Sequence, residues 1–366
     1  MHIRTIAAAA LLISAIVVTD VGSAVAAPVD GSATAGAEAR RLSTTVAGNP
    51  DGVALPAEAL PVDTSNPNQM IGDGTPASCT SEAVVDAVAR GGIITFNCGP
   101  EPMIILMTDT AKVVNTSAVV VLDGGGKVTL SGGGQRRILY MNTCDQAQIW
   151  TTSHCQDQET PQLTIQNMNF IGGNSTGDFV EGGGGGAVFV RGGRVKVLHS
   201  IFTNNQCDPA GPDLGGAALR VLSQSHGLPV IVATSTFTGG NCSNGSALSS
   251  IGVSWQIYNS VFTGNNAIGS GANPSRPGAP GGGSGGAIYL DGNLFTLDLA
   301  GSIVTDNTAN EGGGAIFFVS NDRTGELRIT NSTLERNPSR GFETAGFPGI
   351  FFLGRGAPQV TNSTLR

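Results

Sequence analysis

The residue types best suited to chemistry are concentrated in one stretch. Arg136 and Arg137 stand just before Asn142–Glu159, which carries Asp145, His154, Asp157 and Glu159 around the pair Cys144 and Cys155. Two carboxylates can divide the acid and base roles of glycoside hydrolysis. A basic side chain can remove the proton in an elimination, and clustered oxygens suit Ca²⁺. The same residues also describe a hydrophilic loop pinned by a disulfide, and the sequence leaves both readings open. Smaller candidates are more scattered. Asp208 and Asp213 flank a Pro-Ala-Gly-Pro turn and could bind Ca²⁺ together with backbone carbonyls. Thr305-Asp306-Asn307 reads as a solvated turn, and neither His199 nor His226 lies near a nucleophile motif. Asp123-Gly124-Gly125-Gly126-Lys127 is a β-turn rather than a phosphate loop, because no helix follows it.

A second kind of site would be aromatic. Three residues after a recurring Gly-small dipeptide stand Phe189, Leu219, Leu248, Tyr289, Phe317 and Phe352, each preceded by another apolar residue. Strand alternation puts only one of these two sets inside. The other is either an exposed stripe, with Phe189, Tyr289 and Phe317 placed to stack on sugars or on a partner, or a face buried beneath loops such as 267–284.

Composition narrows what these residues can serve. The chain has 366 residues with 54 Gly, 13% charged residues and a net charge of −8. That balance argues against nucleic acid, which needs a basic face. The glycines have no strict three-residue period, so collagen is excluded. Residues 1–26 have a short basic start, an apolar core from Ile6 to Val18 and Ala24-Val25-Ala26, which reads as a secretory signal. No later stretch approaches the roughly 20 apolar residues of a spanning helix. The mature chain is therefore expected to be secreted or at the cell surface, without a transmembrane segment. Six cysteines in an oxidising compartment imply disulfides. Six allow 15 pairings, of which the sequential one (Cys79–Cys98, Cys144–Cys155, Cys207–Cys242) closes the shortest loops. With no Cys-x-x-Cys and four His, no Cys/His metal site is expected.

The elements that must position these residues are short. Residues 27–76, rich in Ala, Pro, Gly and Ser, read as a flexible linker. A helix is expected over Ser81–Arg90, with Thr80 or Ser81 as its N-cap and Gly91 ending it. Strand-length apolar runs follow, separated by Gly, Pro and Asp turns. From Leu163 a repeat is explicit. Phe170, Phe202, Phe237, Phe262, Val304, Leu334 and Leu365 recur at intervals of 25 to 42 residues, and Ser stands two residues earlier in six of the seven copies. Alternating pairs such as Leu163/Ile165, Val195/Val197 and Leu327/Ile329 precede them. Repeats of this length without intervening helices stack into a solenoid in which like residues lie above one another. The expected fold is all-β: a single-stranded right-handed parallel β-helix over 77–366. Asn167, Asn259, Asn331 and Asn362 would form a turn ladder with His199 as a substitute, and the helix would cap the first coil.

The Gly-Gly-Ala-Ile copies at 285–288 and 313–316 and the Phe-x-x-Asn copies at 202–205 and 262–265 resemble the repeats of the polymorphic outer membrane proteins. These are right-handed β-helices with a pectin-lyase-like fold. The resemblance covers about 160–366 and implies a surface-exposed or secreted passenger, often adhesive. The Asn-Thr-Asp, Asp-Asp and Gly-His-Gly set that polygalacturonases of this fold carry is absent. The expected function is thus an adhesin-like or structural surface protein without catalysis, meeting an extracellular glycan or a cell-surface protein. The alternative is a polysaccharide lyase or glycosidase acting in the β-helix groove, with Ca²⁺ as the one ion that would suit it.

Overall fold

The structure is a computed structural model, described here for residues 46–179, 182–272 and 277–366. The expected signal over 1–26 lies outside the described residues. The chain winds through three stacked parallel sheets of ten, nine and eight strands, with a fourth of three short strands at one corner. A coil contributes one strand to each large sheet in turn. Gly92–Phe96 lies in sheet I, Met103–Leu106 in sheet II and Ala111–Lys112 in sheet III, and Val119–Asp123 then returns to sheet I. This is the arrangement of a parallel β-helix.

Stacking places like residues in columns. Phe170, Phe202, Phe237 and Phe262 lie in register, their rings 4.9 Å apart and within 8° of parallel. All four are buried, beside Trp255, Ile257, Ile288 and Phe318. The Ser column closes the corner between sheets I and II. Ser200 N–H donates to Ser235 Oγ, Ser235 to Ser260, Ser260 to Ser302, Ser302 to Ser332, and Ser332 to Ser363. Each of these hydroxyls in turn donates to the carbonyl two residues before it, as Ser235 does to Ala233. The Asn of Phe-x-x-Asn forms a buried ladder at the next corner: Asn265 donates to Asn307 Oδ1 at 2.8 Å, and Asn307 to Asn337 Oδ1 at 2.9 Å. The expected turn column is present as a backbone feature. Asn167, His199, Thr234, Asn259, Asn331 and Asn362 all sit at φ between 47° and 50°, the left-handed region that Asn tolerates best among residues with a Cβ.

The helix α1 (Ser81–Arg90) begins with the Thr80 hydroxyl accepting from Ala83 N–H and ends at Gly91, whose φ is +71°. Its Val84, Ala87 and Val88 join the core at the first coil with Ile94, Ile105 and Ala111. The three disulfides are Cys79–Cys98, Cys144–Cys155 and Cys207–Cys242, the sequential pairing.

The segment read as a flexible linker is a correction. Residues 27–45 lie outside the described residues, but from Val46 the chain is fastened along the corner between sheets I and II. The Asn259 amide grips the Val53 backbone from both sides, at 2.7 and 2.8 Å. Gln166 does the same to Val62, and Thr64 donates to Asp123. Gln69–Ile71 then forms the first strand of sheet I, paired with Ile94–Phe96, so the solenoid begins before residue 77. A segment without periodicity is held here by side chains of distant coils and by one small apolar contact, Leu55 and Ala59 against Leu198, Ile231 and Ala233.

Candidate functional site

The loop between Asn142 and Gln162 joins sheet III to sheet I and is tied at its base by Cys144–Cys155 and by Thr143, whose hydroxyl donates to the Arg191 carbonyl at 3.0 Å. Its candidate residues do not converge. His154 and Glu159 are exposed, and the Asp157 carboxylate accepts from the backbone N–H of His226 in a neighbouring coil. Arg136 reaches back to the carbonyl of Thr108. Lys196 lies on sheet I, where it donates to the Glu58 carbonyl.

Asp145 and Arg137 are brought together. They line a pocket of about 390 Å³ on the outer face of sheet III with Thr110, Lys112, Tyr140 and Asp178. Tyr140 donates to Asp145 at 3.2 Å and accepts from Asn142 at 3.0 Å. Burial pushes its phenol up to about 12, so it stays neutral at any physiological pH. The Arg137 guanidinium is 5% exposed and fully engaged. It bonds the carbonyls of Gly184 and Gly185, pairs with Asp178, and lies 5.1 Å from the centre of the Phe189 ring. Its work is structural: it fastens Asp178, Gly184 and Gly185 to the sheet. Asp145 accepts from Ala147, Tyr140 and Gln148, Tyr140 is buried, and Lys112 is exposed at the pocket's edge.

The aromatic stripe is covered. Phe189, Tyr289 and Phe317 are 0%, 1% and 6% exposed, under loops that include Gly184, Asp213 and Phe342. The outer column also has different members from those expected. Strand pairing puts Tyr140, Phe189, Arg220, Ser249, Tyr289, Phe317 and Phe351 in line, whereas Leu219, Leu248 and Phe352 face the core. The true alignment mark is the glycine with positive φ, at 185, 216, 245, 285 and 313. It opens a Gly-x-Ala triplet whose middle residue is Gly186, Ala217, Ser246, Gly286 or Gly314. In a coil where that middle residue is Gly it cannot be enlarged: a Cβ at Gly186 would collide with the Gln206 carbonyl.

Under those loops lies a polar cluster that sequence reasoning missed. Tyr289 Oη sits 3.0 Å from Asp213 and 3.3 Å from Asp291, beside a pocket of about 260 Å³ lined also by Asn321. A phenol has one proton to donate, so two ionised carboxylates cannot both be satisfied by it. Burial, with Asp213 adding to it, pushes the Asp291 carboxyl up. Arg220, 3% exposed and bonded to Ser249, supplies the nearby positive charge. From the sequence Asp213 is expected beside a turn, as a solvated residue or a Ca²⁺ ligand, and neither Arg220 nor Asp291 carries a local sequence signal. Only the outward column they share, read in the correct register, would have found them.

The remaining candidates have structural partners. Asp306 pairs with Arg336 at 2.7 Å, Asp208 accepts from Gly177 N–H, and burial holds the His199 imidazole below its ordinary range. Among the described residues no three His, Cys, Asp or Glu side chains gather as metal ligands, and no helix is long and apolar enough to cross a membrane. No protein-family model, curated protein or solved structure matches the chain.

Proposed function

We propose that this is an exported right-handed β-helix repeat protein of pectin-lyase-like type that acts at the cell surface or outside the cell as an adhesin-like or structural element without catalysis. The observation that carries the reading is the use made of the repeat. The Phe, Ser and Asn columns are all engaged in internal stacking and hydrogen bonding through consecutive coils, which makes a stiff rod whose variation is confined to loops. The signal-like residues 1–26, three disulfides and the Gly-Gly-Ala-Ile and Phe-x-x-Asn signatures are consistent with export and with a polymorphic outer membrane protein-like passenger. The partner is an extracellular glycan or a cell-surface protein. The pocket of Lys112, Tyr140 and Asp145 offers one cation, one ring and one carboxylate, a set that suits sugar hydroxyls.

One observation favours the second reading, a polysaccharide lyase or glycosidase: Asp213 and Asp291 share one phenol beside an open pocket. A close pair of carboxylates is what acid/base hydrolysis requires. The test is to incubate residues 27–366 with acidic and neutral polysaccharides, with and without Ca²⁺. Co-sedimentation, unsaturated products and new reducing ends are read together. Retention without turnover is the expected result. Product release abolished by Asp291→Asn or Asp145→Asn would replace the adhesin reading with the enzymatic one.

A further inference from the structure

A further recess among the described residues lies on a different sheet from the two pockets of sheet III. It is a groove of about 640 Å³ on the outer face of sheet I. Val121, Thr164 and Ile231 form its floor, Glu58 and Val62 of the fastened N-terminal segment one wall, and Leu228 and Pro229 the other. Arg194 and Lys196 are alternate residues of one strand and both face into it.

These two cations are not neutralised as their counterparts are. Lys196, Ile231, Gln256, Asp298 and Arg328 occupy successive places in one column of sheet I. Arg328 has Asp298 at 2.5 Å and Glu326 at 2.8 Å. Lys196 and Arg194 have no ion pair among the described residues. Lys196 donates to the Glu58 carbonyl at 2.8 Å. Arg194 reaches only the Pro229 carbonyl, at 3.4 Å, and its Nε is buried with no partner. A buried donor left unpaired costs about 1–3 kcal/mol, and half-buried cations are disfavoured further by desolvation. That desolvation holds both groups below their ordinary pKa values. The Glu58 carboxylate on one wall acts on Lys196 without reaching it as an ion pair, and Arg194 has no counter-charge of its own.

We propose that this groove binds an amphipathic monocarboxylate of the fatty-acid type, its carboxylate on Arg194 and Lys196 and its aliphatic tail over Val121 and Ile231. A carboxylate supplies acceptors for the orphaned Arg194 Nε and the Lys196 ammonium. The lining is mostly apolar, and Gln162, Thr164 and Gln256 are too few to serve the many hydroxyls of a sugar, which argues against an acidic oligosaccharide.

The experiment is calorimetric titration of residues 27–366 at pH 7 with decanoate below its micelle concentration, decanol, and a galacturonate oligomer. Decanoate is expected to bind with one site per chain and at least tenfold more tightly than decanol, and the oligomer not to bind in this groove. Arg194→Gln together with Lys196→Gln should weaken decanoate at least tenfold, leave decanol unchanged, and not lower the unfolding midpoint of the ligand-free protein. Leu228→Asp, on an exposed wall residue, provides a second variant whose folding is not at risk and should also weaken decanoate. Equal affinity for decanoate and decanol, insensitivity to all three substitutions, or oligomer binding that the double variant abolishes would overturn the proposal. So would a dimer in sedimentation that buries this groove.

Discussion

Two columns of rings run along this solenoid, and they are built on different rules. Inside, Phe170 to Phe262 repeat one side chain at a constant 4.9 Å. Outside sheet III, the column reads Tyr140, Phe189, Arg220, Ser249, Tyr289, Phe317, Phe351. Both are buried, but the inner column is covered by copies of itself and the outer one by loops that differ in every coil. A self-covered column keeps to apolar residues throughout, running from Leu130 into the four rings and on through Val304, Leu334 and Leu365. A loop-covered column takes whatever its own loop can satisfy. Tyr140 goes with Asp145, Tyr289 with Asp213, and Phe317 with Phe342. Chemical variety in this fold therefore collects on the outer faces.

The sharpest way to break the comparison is to delete one ring from each column. Phe237→Ala, between two stacked neighbours in a core that cannot close around the gap, is expected to cost about 3–5 kcal/mol. Phe317→Ala should cost less, about 2 kcal/mol, because a loop can settle into the space. Denaturant unfolding of both variants measures the difference, and equal losses would show that the loops are as rigid as the coils. Asn307→Ala comes next. Its amide donates to the carbonyls of Phe262 and Thr305 and to Asn337, and its oxygen accepts from Asn265. Removing it leaves buried groups unpaired on both neighbouring coils, for an expected loss of about 2–3 kcal/mol in the same assay.

The difference between the columns also explains what could be read in advance. The inner Phe and Ser columns, the helix between Thr80 and Gly91 and the disulfide order follow from local spacing and hydrogen-bonding chemistry, and all are present. The outer column differs from the sequence expectation at Leu219, Leu248 and Phe352, because the small residue after the marking glycine is Gly in some coils but Ala217 or Ser246 in others, and the last coil has no Gly-x-Ala triplet. The fastened segment from Val46 to Thr64 had no signal at all. Its partners, Asn259 and Gln166, lie 206 and 104 residues away and act through side-chain amides on plain backbone. The grouping of Asp213, Tyr289, Asp291 and Arg220 was hidden for the same reason. Its members meet through loop cover, which leaves no period in the chain.

A spectroscopic test addresses the outer faces directly. Burial raises the phenol pKa of all three tyrosines, with Tyr140 at about 12 and Tyr289 well above its ordinary value. Their native pKa values exceed those of the unfolded chain. The stabilisation from keeping them neutral is therefore complete below about pH 10 and is lost as pH rises toward 12. Phenolate absorbance of the native protein should develop later than that of the urea-unfolded chain, and Tyr289→Phe should remove its most resistant component. A native titration near pH 10 for all three would mean that the loops leave this face open.

The smallest expected effect tests the column rule at a position where the sequence departs from it. The turn column holds Asn167, Asn259, Asn331 and Asn362 at left-handed φ, but places a β-branched Thr at 234 with φ 47°. That conformation costs an ordinary residue roughly 1–2 kcal/mol, and Asn recovers part of this by bonding locally. Thr234→Asn should therefore raise stability by up to about 1 kcal/mol, and Asn331→Thr should lower it by a similar amount. Thr234 makes its coil-to-coil bond through its backbone N–H to the Tyr258 carbonyl, so the substitution removes no hydrogen bond from the ladder. Opposite shifts of the unfolding midpoint in the two variants would mean that one backbone conformation sets the residue preference of the whole column. Shifts in the same direction would mean that each turn answers to its own neighbours, as the loops over sheet III do.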